Sequence, residues 1–330
     1  MRRIAVRRIA ALGFLPLMAV VCAGGLAQAL PEDVLWLNAA KATLLSLARV
    51  FPLAWVLWAM FTARRTGRLL APAAVALVGL ALAGVPPLLD PVEGPGLVIV
   101  AANVQAYAEA PEALEAALAA LDADVVLTHE RRGEAIAGMK RVADNYARKL
   151  PRPSHGAAAY CREGLRCEAR VTGHIGPEGC AMPLAQVRVD GSLCALGIHA
   201  PPPVPICAKG LHPYLEHVAA RVEAGRLTED WGPCRADDPV LAIGDFNYVP
   251  GSRALRTLTA RGLRDAARLQ GLFAASWPAG GGWPNLPLFR LDHALVGDLE
   301  AGGVRYLRLP DSDHKAVRLR VWLRTPDHPL

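Results

Sequence analysis

The chain has 330 residues, 53% of them hydrophobic, and a formal net charge of +6. A mean hydropathy of +0.25 excludes a disordered chain and is too apolar for a uniformly water-soluble protein. Nine Lys/Arg in residues 1–90 face only Glu32, Asp33 and Asp90, and the rest balances 27 to 27, so no broad positive field exists there for non-specific nucleic-acid binding.

The first apolar run covers residues 9–30 and follows Arg2, Arg3, Arg7 and Arg8. A second covers 44–61, with Arg49 near its outer end, and a third covers 69–89. Each approaches the ~20 residues that carry a helix across a bilayer. Arg64, Arg65 and Arg68 lie between the second and third runs, so the positive-inside rule puts both basic clusters in the cytoplasm. Glu32, Asp33 and everything after residue 89 then lie outside. A rival reading takes residues 1–29 as a signal peptide cleaved after Ala27-Gln28-Ala29, which changes the count from three spans to two but not the sidedness. The expectation is a multi-pass cell-membrane protein. Residues 1–90 form its membrane region of two to three transmembrane helices, and residues 91–330 form an extracytoplasmic domain, long enough for one sizeable core.

Within that domain, 97–102 reads as a buried strand and Pro111 opens a helix with Leu114, Leu118 and Leu121 at helical spacing. Residues 124–128 read as a strand ending at His129-Glu130, and 134–148 as a helix. A strand-rich middle follows at 157–161, 168–172, 184–189 and 193–199, the last two joined through the hairpin signal Asp190-Gly191. The spacing then predicts a helix over 214–227, a strand over 240–243, a helix over 252–261, and strands over 289–296 and 315–323. Gly280, Gly281 and Gly282 mark a loop between Trp277 and Trp283. Antiparallel strands in the middle argue against a purely parallel sheet.

Cys22 falls in the first apolar run, leaving Cys161, Cys167, Cys180, Cys194, Cys207 and Cys234 in the domain. An even number outside the cytoplasm points to disulfides. Cys161–Cys167 is the simplest pair, and Cys207–Cys234 and Cys180–Cys194 would follow, although sequence does not fix connectivity. A zinc site is the alternative, but the spacings match no common zinc pattern.

Polar groups stand where apolar strands end. Asn103 follows Val98-Ile99-Val100-Ala101-Ala102, Glu130 follows Val125-Val126-Leu127, and His199 follows Leu196-Gly197-Ile198. Gly244-Asp245-Phe246-Asn247 follows Val240-Leu241-Ala242-Ile243, Asp292-His293 interrupts an apolar strand, and Ser312-Asp313-His314 precedes the last one. Taken singly, each has an ordinary reading as a cap or a turn. Together they place carboxylates, imidazoles and amides at strand ends, which lie along one rim of a sandwich.

This ordered set resembles the endonuclease/exonuclease/phosphatase (DNase I-like) superfamily over residues 97–323. The resemblance implies a four-layer α/β/β/α sandwich behind the N-terminal transmembrane region, and hydrolysis of phosphoester or phosphoanhydride bonds with Mg²⁺, or Mn²⁺, as cofactor. It assigns Asn103, Glu130 and Asp313 to the metal, Glu130 first because a hard carboxylate suits Mg²⁺. His314 would contact the phosphoryl oxygen with Asp292 fixing its orientation, Asp245 would orient or deprotonate the attacking water, and Asn247 would donate to the developing oxyanion. His199 would act on the phosphate or the leaving group, while His293 reads as structural. Ala102 and His129 replace the Trp and Gln often found beside Asn103 and Glu130 in the family. The layout as a whole is similar to VanJ-type membrane hydrolases of bacteria, implying a phosphorylated, lipid-linked substrate such as undecaprenyl pyrophosphate. The alternative is an extracytoplasmic nuclease, for which Arg253, Arg256, Arg261 and Arg264 would form a basic stripe beside the site.

Overall fold

Short Val-, Ile-, Leu- and Ala-rich runs form strands here because each is covered on both faces, so they read as nearly continuous apolar stretches. The computed structural model describes residues 96–324 except 106–110, 131–134, 147–155, 174, 177–180, 203–207, 269 and 271–273. The three N-terminal apolar runs lie outside the described residues. Among those described, no helix is long and apolar enough to cross a membrane.

The element order is β1 (Leu97–Asn103), α1 (Pro111–Ala119), β2 (Val125–His129), β3 (Met139–Asp144), β4 (Ala157–Arg162), β5 (Cys167–Val171), β6 (Leu184–Val189) and β7 (Leu193–His199). Then come α2 (Ala208–Ala219), β8 (Val222–Glu223), β9 (Arg226–Leu227), β10 (Val240–Asp245), α3 (Arg253–Thr259), β11 (Arg264–Asp265), β12 (Asp292–Val296), β13 (Leu299–Arg308) and β14 (Lys315–Leu323). One six-stranded sheet has the order β13-β14-β1-β2-β4-β3 and a second has β11-β12-β10-β7-β6-β5. Each is mixed: β1 runs parallel to β2 but antiparallel to β14, and β10 runs parallel to β7 but antiparallel to β12.

Alternation along the strands builds the layers. Ile99, Ala101, Val125, Leu127, Ala159, Ala185, Ala195, Leu241, Ile243 and Val317 face one another between the sheets. Val98, Val100, Val126 and Tyr160 point the other way, against Leu114 and Leu118 of α1. Leu196, Ile198 and Ala242 cover the opposite outer face with Tyr214, Leu215 and Val218 of α2 and Leu255 and Leu258 of α3. Helix, sheet, sheet and helix stack in the expected order.

Three expectations need correcting. Residues 139–144, placed in a helix by the sequence, form strand β3 paired antiparallel with β4. The edge of β4 offers backbone partners that outweigh the helical preference of Met, Lys, Arg and Ala. The helix expected over 214–227 starts earlier and ends at Ala219, because Ala224 and Gly225 take φ of +48° and +78° and turn β8 into β9. A Cβ on Gly225 would lie 2.6 Å from the backbone of Gly297 and Asp298, so the turn also needs the missing side chain. The cysteines pair as Cys161–Cys167 and Cys194–Cys234. The second bond overturns both Cys207–Cys234 and Cys180–Cys194: Cys194 at the start of β7 lies against the turn bearing Cys234, across 40 residues of sequence. Cys180 and Cys207 are outside the described residues. Two disulfides mark a domain that folds in an oxidising, extracytoplasmic compartment.

Candidate active site

Strand register brings the polar residues together. Asn103 ends β1 opposite His129 at the end of parallel β2, and Glu130 follows it. Asp245 ends β10 level with His199 on one side and Asp292 on the other. His314 immediately precedes β14, whose antiparallel pairing with β1 brings it beside Asn103. All these ends fall on one rim.

The side chains form a connected network across the two sheets. Asn103 Nδ2 donates to Glu130 Oε1 at 2.9 Å and to Asp245 Oδ2 at 3.2 Å, tying the first sheet to the second. His199 Nε2 lies 3.3 Å from Glu130 Oε1. The backbone N–H of Asn247 donates to Asp245 Oδ1 at 2.8 Å, and its side-chain amide donates to Asp245 Oδ2 and to the Ala200 carbonyl. His314 Nδ1 meets Asp292 Oδ2 at 2.8 Å, while its Nε2 lies 3.7 Å from Asp245 Oδ2. Asn103, His199, Asp245, Asp292 and His314 are buried, whereas Glu130 retains a partly exposed side chain.

Burial and proximity separate the titrations of these groups. Burial pushes the Asp245 carboxyl up to about 6, with Asp292 adding to the rise and the His314 and His199 imidazoles opposing it. Burial alone would depress His314, but the Asp292 and Asp245 carboxylates outweigh it and raise the imidazole to about 10. Glu130 is raised by burial yet more strongly lowered by His199 and Asn103, ending at about 2. His199 is depressed by burial and raised on balance by Glu130. The rim therefore holds an ionised Glu130, a protonated His314 and a carboxyl poised near neutrality.

Local backbone serves the same end. Glu130 and Asn247 adopt φ of +75° and +56°, conformations that L-residues rarely take and that cluster at functional sites. Gly244 has φ +136°, and a Cβ there would lie 2.2 Å from the Ile198 carbonyl, so only glycine lets β10 close on β7 just before Asp245.

Of the residues singled out from sequence, Asn103, Glu130, His199, Asp245, Asn247, Asp292 and His314 meet in the network. Asp313 stands aside: its Oδ2 accepts from Trp277 Nε1 at 3.2 Å, and burial raises its carboxyl against the pull of His314. His293 is buried and bonds Tyr248 O through Nε2 at 2.7 Å, a structural role that braces the Asp245–Asn247 turn. Arg264 pairs with Val296, at the end of β12 remote from Asp292, so it contributes no basic stripe beside the site. Sequence reading gave no part to Ser276, whose buried hydroxyl accepts from the backbone N–H of Leu291 and Asp292. Nor did it anticipate Tyr306, whose hydroxyl donates to the Asp292 carbonyl at 3.2 Å. Neither side chain falls in a motif, so nothing local could have pointed to them. Ser312 ties its motif to the rim, donating to Asn103 O at 2.7 Å and accepting from His314 N at 3.1 Å.

Asp245, Asp292 and His314 offer ligand atoms within 4.8 Å of one another, a buried group consistent with a divalent metal site. The carboxylate-rich donor set suits a hard divalent cation.

A likeness to the crystal structure of an endonuclease/exonuclease/phosphatase family protein from Bacteroides thetaiotaomicron, at 15% identity and a TM-score of 0.50, establishes a shared fold over 71% of this chain and all of that one. The structure of an endonuclease/exonuclease/phosphatase from Beutenbergia cavernae is similar at 17% identity, covering 69% of this chain and 71% of that one, with a TM-score of 0.47. A mannosyl-6-phosphatase of B. thetaiotaomicron is similar at 15% identity, covering 69% and 100%, with a TM-score of 0.48. No curated protein matches the sequence. The Endonuclease/Exonuclease/phosphatase family model matches residues 100–314, well over half the chain and the span that carries every group of the rim. The chain thus belongs to the endonuclease/exonuclease/phosphatase family, as a metal-dependent hydrolase of phosphoester bonds.

Proposed function

We propose that this protein is a membrane-anchored phosphohydrolase that acts outside the cytoplasm on a lipid-linked phosphate or pyrophosphate. The observation that carries the reading is the coupled Asp245–His314–Asp292 group, a carboxyl near neutrality beside a protonated imidazole. Three apolar runs in residues 1–89 and the neutral balance of charge after them favour a lipid-borne substrate over a polynucleotide. The disulfides support the outer side of the membrane.

In the proposed mechanism Glu130, whose side chain is partly exposed, would hold Mg²⁺ with Asn103 beside it. The bound ion would neutralise phosphoryl charge and polarise the bond to be broken. Asp245 takes the proton of the attacking water, and its value of about 6 suits a base at neutral pH. Asn247 N–H holds Asp245 Oδ1, while Oδ2, which accepts from the Asn103 and Asn247 amides, faces His314 Nε2. His314, protonated and oriented by Asp292, donates from Nε2 to a phosphoryl oxygen as negative charge builds there. His199 Nε2 is taken up by Glu130 at 3.3 Å and its Nδ1 is buried, so it acts by holding Glu130 in place rather than on the leaving oxygen. A cation bound instead among Asp245, Asp292 and His314 would disrupt the Asp292–His314 hydrogen bond, which favours Glu130 as the principal ligand.

The test uses the purified full chain in detergent with Mg²⁺, assaying phosphate release from undecaprenyl pyrophosphate in parallel with cleavage of plasmid DNA. Phosphate release that EDTA abolishes and that Asp245→Asn lowers by roughly 10²- to 10⁴-fold is the expected result. DNA cleavage without phosphate release would replace the lipid reading with the nuclease.

A further inference from the structure

The segment from Trp277 to Phe289 contains no Asp, Glu, Lys or Arg. It places Trp283, Leu286 and Leu288 in solvent at 54%, 61% and 41% exposure, three of the four large hydrophobic side chains most exposed among the described residues. The exposure belongs to a braced element. The Trp283 ring packs at 5.3 Å from that of Trp277, which in turn lies 5.9 Å from Phe289. The N–H groups of Leu288 and Phe289 both donate to the Trp277 carbonyl, and Pro278, Pro284 and Pro287 restrict the backbone between. Held this way, the apolar tips stay directed into water.

The same element is fastened to the catalytic rim. Ala279 N donates to the Asp313 carbonyl at 2.8 Å, and Gln105 Nε2 donates to Gly281 O at 3.0 Å. Gln105 in turn donates its backbone N–H to Asn103 Oδ1. Trp277 itself reaches Asp313. An apolar, uncharged tip thus stands on a segment bonded to Asp313 and Gln105, next to the rim that carries His314.

We propose that the Trp283–Leu286–Leu288 tip dips into the surface of a lipid bilayer and sets the active-site rim against it. This rests on the membrane-anchored reading given above. Three side chains make too small a patch for a stable protein interface, which takes about 800 Å² per partner. A tryptophan beside leucines without nearby charge is, by contrast, the composition of a bilayer interface. The reach of the chain also fits. The rim lies at the far end of β1 from Gly96, about 20 Å along seven residues. The six residues between the last apolar run and Gly96 span a similar distance when extended, roughly 20 Å or a little more. A domain tethered at residue 89 can therefore turn its rim to the membrane that holds it.

Two measurements on the full chain test the tip. The first compares wild type with Leu286→Ser/Leu288→Ser on a polyprenyl pyrophosphate in mixed micelles and on water-soluble bis(p-nitrophenyl) phosphate. The double variant should turn over the soluble ester within about twofold of wild type, while its apparent KM for the micellar substrate rises about tenfold. Equal losses on both substrates, or none on either, would overturn the proposal. The second reconstitutes the chain into phosphatidylcholine vesicles brominated on the acyl chains and compares its tryptophan quenching with that of Trp283→Phe. Part of the quenching should disappear in the variant, and unchanged quenching would refute contact with lipid. Should wild type hydrolyse only the soluble ester, the lipid-phosphate reading falls, and the quenching experiment alone then decides whether the tip meets the bilayer.

Discussion

His314 faces two carboxylates inside the protein, and that placement makes the stability of the fold depend on pH in a predictable direction. Its ordinary value is 6.5 and the folded one about 10, so protonation favours the folded state fully below pH 6.5 and progressively less as the pH rises toward 10. In EDTA, the melting temperature of wild type should fall across that interval by more than that of His314→Gln. Parallel curves would mean that the imidazole is not held by Asp292 and Asp245 as described. Glu130 carries the opposite sign: lowered from 4.5 to about 2, it contributes stability above 4.5 that is lost on acidification. Asn103 joins these two halves of the rim through a single amide nitrogen, which reaches Glu130 on one side and Asp245 on the other. Thermal melts across pH thus read the network without any substrate.

At the scale of elements, the two disulfides differ in what they restrain. Cys194–Cys234 closes 40 residues and Cys161–Cys167 only 6. Loop-closure entropy then predicts that Cys194→Ala/Cys234→Ala costs about 4 kcal/mol and Cys161→Ala/Cys167→Ala about 2 kcal/mol. Urea denaturation of the two double variants checks the ranking, and the reverse order would contradict it. That long-range pair is also what sequence could not supply, since six cysteines allow many pairings and only the approach of β7 to the turn at Cys234 selects this one. The strands and the rim were far more legible. Burial on both faces makes strands apolar, so Asn103, Glu130, His199 and Asp245 stand out where the apolar run stops. Strand β3 was hidden because its partly exposed MKRVAD sequence carries no such run, and its identity comes from the edge of β4. Strand β13 was missed for a related reason: half-buried, with Gly302-Gly303 and a register shift before Arg305, it has no clean two-residue period. Ser276 and Tyr306 act on Asp292 through backbone atoms, which leaves no chemical signature in the sequence around it.

For the molecule as a whole, a cation held at Glu130 should stabilise the folded domain, because it binds the folded state alone. At a Mg²⁺ concentration about 100 times its Kd, linkage adds about 2.7 kcal/mol. For a domain of this size that corresponds to a rise of roughly 5–10 °C in melting temperature. Scanning calorimetry of the full chain with Mg²⁺ and with EDTA measures the shift. Glu130→Gln should erase it, whereas a shift that survives the substitution would move the ion to Asp245, Asp292 and His314. The hydrogen bond from Ser312 Oγ to the Asn103 carbonyl has a further consequence, because it joins residues 209 apart in the chain. A ribosome reaches Asn103 long before His314, and the final strand both delivers the imidazole and covers the open edge of β1. A chain that ends before residue 314 therefore lacks the imidazole of the rim and leaves one edge of β1 unpaired.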